Sequence, residues 1–123
     1  MIIDSHAHIY PDKLARKAAR SIGDFYDIDM DLDGTVDMLL KVGDEAGVDK
    51  FLVHSVATTP HQVRSINSFI AKSVSEHPDR FIGFATLHPG CGDEIPEIVN
   101  EAIDLGLSGI KLHPDFQEFD IDA

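Results

Sequence analysis

The chain begins with Met1-Ile2-Ile3-Asp4-Ser5-His6-Ala7-His8, in which an apolar run leads into two histidines. The apolar start predicts a β-strand, and in a strand the side chains of residues i and i+2 point to the same face. Asp4, His6 and His8 should therefore share one face. Two neutral imidazoles placed in this way can bind one divalent ion. The stretch predicts a metal site at the strand end, with His6 and His8 as ligands and Asp4 hydrogen-bonded to a ligand or its water.

Composition limits the kinds of protein that this chain can be. Its 123 residues and 43% hydrophobic content predict a single domain, residues 1–123, with a packed core. The net charge of −12, from 22 acidic and 10 basic residues, argues against nucleic acid or an anionic membrane as a partner. With no long apolar run and no export signal, the expected location is the cytoplasm. Cys91 stands alone and should be a small packed residue.

Residues 9–34 form an insertion between the first strand and the next regular element. Residues 11–22 have the spacing of a short amphipathic helix that Gly23 should end, and residues 24–33 form an acidic loop. Part of this loop imitates the opening of a calcium-binding EF-hand. The twelfth position of that motif requires a bidentate Glu, whereas the chain has Leu40 there, so we reject a calcium site. Asp33 or Thr35 should cap the helix that follows.

Helix and strand then alternate three times. The predicted helices cover residues 35–47, 59–77 and 93–106, with Thr59 as an N-cap, and the predicted strands cover residues 50–56, 81–87 and 109–113. The tail, residues 115–123, is interpreted as a loop. Strands that are apolar on both faces and separated by amphipathic helices predict an α/β fold with a parallel sheet, either a β/α barrel or a doubly wound sheet.

The positions of the histidines favour the barrel. Four of the seven fall at or just past the C-terminal end of a predicted strand, namely His8, His54, His88 and His113. In a β/α barrel these ends share one rim, where active sites are built. Individually, His54 and His88 fit a structural role as well as a site role, and His61 lies just after the rim. His77 should cap a helix on the opposite side.

Three pieces of the sequence carry a family resemblance: Ile3-Asp4-Ser5-His6-Ala7-His8-Ile9-Tyr10-Pro11, then His77-Pro78-Asp79-Arg80-Phe81-Ile82-Gly83-Phe84-Ala85-Thr86-Leu87, then Gly109-Ile110-Lys111-Leu112-His113-Pro114. In this order and spacing they resemble the N-terminal half of an amidohydrolase-superfamily protein, of the branch that includes aminocarboxymuconate-semialdehyde decarboxylase-like proteins. The resemblance implies a (βα)8 TIM barrel with one divalent metal, with zinc favoured and manganese the alternative. It also implies hydrolysis or non-oxidative decarboxylation of a small carboxylated or cyclic substrate.

The resemblance covers only part of such a barrel. It places His6 and His8 on the first-strand metal pair, while the family's later metal ligands, one of which is also the base, would lie beyond Ala123. The chain should hold about the first four strands, as a fragment of a longer protein or as one of two paired half barrels. We therefore expect a homo-oligomer or association with the missing half, and no activity from the 123 residues alone.

Further candidates complete the predicted site. His113 can act as acid, base or substrate contact, because imidazole titrates near physiological pH. Lys111 shares its strand face and can hold a substrate carboxylate or, if carboxylated, bind metal. Tyr10, within the first matching piece, is a candidate substrate contact. Two rival functions stay open, a PHP-type phosphoesterase, which also opens with Asp-x-His-x-His, and a non-catalytic metal-binding half barrel.

Overall fold

The computed structural model describes residues 1–26 and 34–122 of the chain. Its elements, in chain order, are β1 (Ile3–His8), α1 (Asp12–Tyr26), α2 (Val36–Ala46), β2 (Lys50–His54), α3 (Val63–Glu76), β3 (Phe81–Thr86), α4 (Ile95–Asp104), β4 (Gly109–Lys111) and α5 (Pro114–Gln117). Short 3-10 turns at Pro60–Gln62 and Pro89–Glu94 lead into α3 and α4. The predicted alternation of strands and helices is confirmed.

The four strands form one parallel sheet in the order β1-β2-β3-β4. Each strand lies beside the next one in the chain, and a helix connects each pair. A doubly wound sheet would reverse direction part-way across, at the point where its ligands bind. The unreversed order is that of the first half of a β/α barrel, as the sequence predicted.

The core lies between one face of the sheet and the helices that cover it. Its central side chains are Phe51 and Val53 of β2, Phe81 and Ala85 of β3, and Ile70 of α3, all buried. Helix α2 approaches β2 so closely that a methyl group on Gly43 would overlap the Phe51 ring. Ala7, which lies between His6 and His8 on β1, belongs to this core, so the two histidines project from the opposite face of the strand.

Buried polar side chains hold the C-terminal ends of the strands together. Asn67 of α3 accepts a hydrogen bond from the backbone N–H of Thr86 at 2.8 Å and donates one to its carbonyl at 3.2 Å. Gln117 of α5 donates from Nε2 to the carbonyls of Ala57 at 2.8 Å and Leu87 at 2.7 Å. These bonds tie α3 and α5 to the segments that leave β2 and β3.

Several predicted boundaries are confirmed and others are wrong. Thr35 caps α2 by accepting a hydrogen bond from the N–H of Met38 at 3.2 Å, and Gly47 ends this helix in the left-handed conformation, with φ of 75°. Thr59 occupies the predicted cap position, but its hydroxyl makes no cap bond. Gly23 does not end α1, because a glycine stops a helix where φ turns positive and Gly23 is not among the glycines that do so.

The predicted tail and acidic loop have different outcomes. Residues 114–117 are a short helix rather than the predicted loop, because the N–H of Phe116 donates to His113 Nδ1 and buried Gln117 anchors the turn. Residues 27–33, which hold most of the acidic loop and the rejected EF-hand motif, lie outside the described residues. Across the described ranges, no helix is both long enough and apolar enough to cross a membrane.

Both edges of the sheet expose apolar side chains. Ile2 and Ile3 at β1 are 56% and 49% exposed, while Ile110 and Leu112 at β4 are 36% and 37% exposed. Strand edges with unpaired backbone groups and apolar side chains favour pairing with another chain. That the sheet edges pack against another polypeptide stays a prediction.

We predict that the purified chain self-associates at micromolar concentration, as measured by light scattering. Ile110→Lys should shift it toward monomer, since a lysine at a sheet edge opposes pairing. Ile103→Lys, a matched change at an exposed isoleucine of α4, should leave the size unchanged. A stable monomer for the unmodified chain would contradict the prediction.

Candidate metal centre

Three histidine rings meet at the C-terminal ends of β1 and β2. The Nε2 atoms of His6 and His8 are 3.1 Å apart, and His54 brings its ring to 4.9 Å from His6 and 4.6 Å from His8, centroid to centroid. One ligand atom from each of the three lies within 4.8 Å of the others. Two nitrogens bound at about 2.1 Å to one tetrahedral ion lie about 3.4 Å apart, so the His6–His8 pair fits a shared ion.

The register of β1 against β2 produces this meeting. His8 pairs with His54 and Ala7 with Val53, whereas a register shift separates these pairs from Asp4 and Phe51. From Asp4 to Ala7, β1 advances three residues while β2 advances two, which is the pattern of a β-bulge. Asp4 Oδ1 accepts a hydrogen bond from the N–H of His6 at 3.0 Å, so the carboxylate contacts the backbone of a candidate ligand.

Burial keeps two of the rings neutral. It lowers the pKa of His8 from 6.5 to about 4 and that of His54 from 6.5 to about 3. Burial is the main cause for both, followed by repulsion among the histidines and by the charge of Lys111. A metal ligand must be the neutral imidazole, so these two rings are in the required form at neutral pH.

His54 is the most enclosed member of the group. Its side chain is 2% exposed, and its Nδ1 atom has no hydrogen-bond partner among the residues that the structure describes. Buried polar atoms in proteins are nearly always paired, so an unpaired one needs an explanation. The sequence did not choose between a structural role and a site role for His54, and the structure places its ring beside those of His6 and His8.

Tyr10 contacts His8 directly. Its hydroxyl lies 3.2 Å from His8 Nδ1, whereas His6 approaches the other ring nitrogen, Nε2. Burial raises the pKa of Tyr10 to about 12, and a hydrogen bond with Ser55 opposes this rise. The phenol therefore stays protonated and neutral beside His8. The sequence offered no sign of this contact, which depends on how the chain bends after β1.

A cavity of about 740 Å³ opens beside the histidines. Its lining includes His6, His8 and Tyr10 from the β1 side, Ile66 and Phe69 from α3, Leu14, Lys17 and Ser21 from α1, and His113 and Phe116 from the segment after β4. Imidazoles on one wall and apolar side chains on others are typical of a small-molecule site. Its size suits a small organic molecule.

The other predicted residues lie at different distances from this cavity. Lys111 is half-buried and does not line it, yet its charge lowers the pKa of both His8 and His54. His88 does not join the cluster, because its Nδ1 accepts a hydrogen bond from the N–H of Gly90 at 3.0 Å and caps a turn. His61 is exposed and outside the lining, and His77 caps the end of α3 as predicted.

A family model described as Amidohydrolase matches residues 3–123. The chain belongs to the amidohydrolase family. The match covers nearly the whole chain, including the three resembling pieces. No curated protein matches the chain in sequence.

Several solved structures of similar fold carry the names of enzymes. A 4-oxalomesaconate hydratase from Rhodopseudomonas palustris is 25% identical with a TM-score of 0.57, and the match covers 94% of this chain and 42% of that one. A 5-carboxyvanillate decarboxylase from Novosphingobium aromaticivorans, complexed with manganese and 4-hydroxy-3-methoxy-5-nitrobenzoic acid, is 19% identical with a TM-score of 0.65, covering 92% and 41%. A 2,6-dihydroxybenzoate decarboxylase complexed with 2,6-dihydroxybenzoate is 21% identical with a TM-score of 0.62, covering 89% and 38%. The chain thus spans about two fifths of the length of these structures.

The lowered pKa values predict how this amidohydrolase-family chain responds to acid. Unfolded histidine binds a proton near pH 6.5, whereas folded His8 and His54 do so only near 4 and 3. Between these values the unfolded state holds more protons, so the free energy of unfolding of metal-free protein should fall as pH decreases below 6.5.

Urea titrations across that pH window measure the effect. His54→Asn should reduce the slope, because it removes one of the two shifted groups, whereas exposed His61→Asn should leave it unchanged. An equal slope in the His54 variant would contradict the assigned pKa shift.

Proposed function

We propose that this chain carries the first-strand metal ligands of a metal-dependent enzyme acting on a small carboxylated or cyclic molecule by hydrolysis or non-oxidative decarboxylation. The observation that carries the proposal is the 3.1 Å approach of His6 Nε2 to His8 Nε2 at the wall of a cavity, in a chain of the amidohydrolase family. The names of similar structures, two decarboxylases of hydroxylated benzoates and a hydratase among them, support this substrate class.

His6 and His8 would hold one divalent ion. When bound, such an ion lowers the pKa of a coordinated water or polarises a substrate oxygen, which is the chemistry that both reaction types need. Neutral imidazole ligands favour zinc, whereas similar structures contain manganese. Asp4, through the N–H of His6, helps to fix the strand segment that carries the first ligand.

His113 is proposed as a catalytic residue that gives a proton or hydrogen bond. Its Nδ1 accepts a hydrogen bond from the N–H of Phe116 at 3.2 Å, so the neutral ring carries its proton on Nε2. His113 also lines the cavity. The neutral ring is therefore arranged to donate a hydrogen bond from Nε2 to a substrate oxygen, and it can act as a general acid only after Nδ1 takes up a proton.

Lys111 is proposed to attract the substrate's carboxylate. Its ammonium acts on the same two rings, His8 and His54, that face the metal position. A cation near the cavity raises the local concentration of an anionic substrate even without lining the wall.

Tyr10 is proposed as a substrate contact, because its side chain lines the cavity. It is also proposed to position the ring of His8. With His8 Nε2 turned toward His6, the other ring nitrogen, Nδ1, meets the Tyr10 hydroxyl. Metal-binding histidines usually donate this second N–H to a neighbouring acceptor, which fixes the ring's tautomer and orientation.

The first test of the proposal uses the protein expressed from its complete reading frame. His6→Ala combined with His8→Ala should abolish stoichiometric metal in elemental analysis and lower kcat/KM on carboxylated aromatic or cyclic substrates by at least about 100-fold. His61→Ala combined with His77→Ala changes two histidines outside the cavity and should keep both properties. Metal retained by the double variant at positions 6 and 8 would refute the central claim.

The second test concerns Tyr10. Tyr10→Phe keeps the ring and removes the hydroxyl, so metal affinity should weaken about 10- to 100-fold, as for other groups that orient a ligand. Ser55→Ala, which removes a hydrogen bond to the Tyr10 hydroxyl, should have a smaller effect. Unchanged metal affinity together with a raised KM would instead make Tyr10 a substrate contact alone.

A further inference from the structure

His54 is a buried ring whose contacts do not explain its polarity. Its side chain is 2% exposed, and Nδ1 has no hydrogen-bond partner within the described ranges. The His54 ring lies 4.9 Å from the His6 ring and 4.6 Å from the His8 ring, centroid to centroid. Both neighbours are candidate metal ligands. If this position served only for packing, an apolar side chain of similar size would fill it without the free-energy cost of burying an unpaired polar atom.

We propose that His54 is the third protein ligand, so that β1 and β2 by themselves form a three-imidazole zinc site. The inference rests on the proposed function in that His6 and His8 must bind the metal. It goes further because it adds a ligand from β2 to the pair on β1. Three imidazoles with a fourth position left open form a known type of catalytic zinc site.

The backbone supports this assignment. His54 is the register partner of His8 in the parallel ladder, so the ladder itself sets the spacing of the two rings. His54 is the last residue of β2, and its neighbours Val53 and Ser55 are buried. Ligands held on paired strands with buried neighbours are better fixed than ligands on loops.

The identity of the donors points to the metal. An all-imidazole set suits zinc, whereas manganese prefers carboxylate and water oxygens. Within the described residues, the cluster of potential ligands contains three histidines and no carboxylate. The 123-residue chain should therefore select zinc over manganese, although similar structures contain manganese.

The decisive measurement is the number of imidazole ligands in the zinc-loaded 123-residue chain, obtained by X-ray absorption at the zinc edge. Three imidazoles support the proposal, and two overturn it. This readout needs no variant and no activity, so it is unaffected by any folding defect that a substitution at a buried position causes.

Zinc titration against a chromophoric chelator gives a second readout. His54→Phe retains a buried ring without ligand atoms and should weaken zinc affinity by at least about 100-fold, the upper range for groups that merely orient ligands. His61→Ala, at an exposed histidine outside the cavity, should have no effect. In folded His54→Gly, added imidazole should restore binding.

The outcomes separate this inference from the proposed function. If His54→Phe binds zinc normally while His6→Ala combined with His8→Ala does not, His54 is no ligand and the proposed function stands. If the double variant also binds zinc normally, both fail.

Discussion

The parallel pairing of β1 with β2 is the interaction on which the rest of the structure depends. It sets Ala7 and Val53 on the core side and places His8 beside His54 at the strand ends. The bulge between Asp4 and Ala7 sets this register. If the register of β1 shifted by one residue, His6 and His8 would point into the core and Ala7 toward the cavity. Fold and candidate metal centre thus share one determinant.

The same burial that stabilises the sheet also prepares the histidines chemically. Enclosure lowers the pKa of His8 and His54, so neither ring needs to lose a proton before it binds a metal near neutral pH. The cost is that Nδ1 of His54 has no hydrogen-bond partner among the described residues, which is about 1–3 kcal/mol for a buried polar group. Hydrogen bonds of Asn67 and Gln117 at the neighbouring strand ends hold the surrounding backbone in place. Binding of an ion by His54 would remove this cost.

The sequence predicts those features that depend on one element at a time. Alternation within a single strand was enough to place His6 and His8 together, and strand and helix periodicity gave the parallel sheet. His54 needed the register of two strands, which depends on a bulge that no residue pattern marks. Helix α5 was missed because, besides its local cap at His113, it depends on tertiary bonds of Gln117 that helix propensity does not reveal. The contact of Tyr10 with His8 was missed because it depends on how the chain bends after β1.

The candidate site therefore has two parts that are fixed in different ways. Its candidate histidine ligands stand on paired strands, where the backbone ladder limits their movement. His113 stands on the segment after β4, held by its bond to Phe116 and by Gln117 Oε1, which accepts from the N–H of His113 at 3.0 Å. The opposite wall comes from α1, an insertion outside the repeating units. Since loops and insertions change more readily than ladders, differences in substrate among amidohydrolase-family chains should arise at these walls, while the histidine pair stays in place.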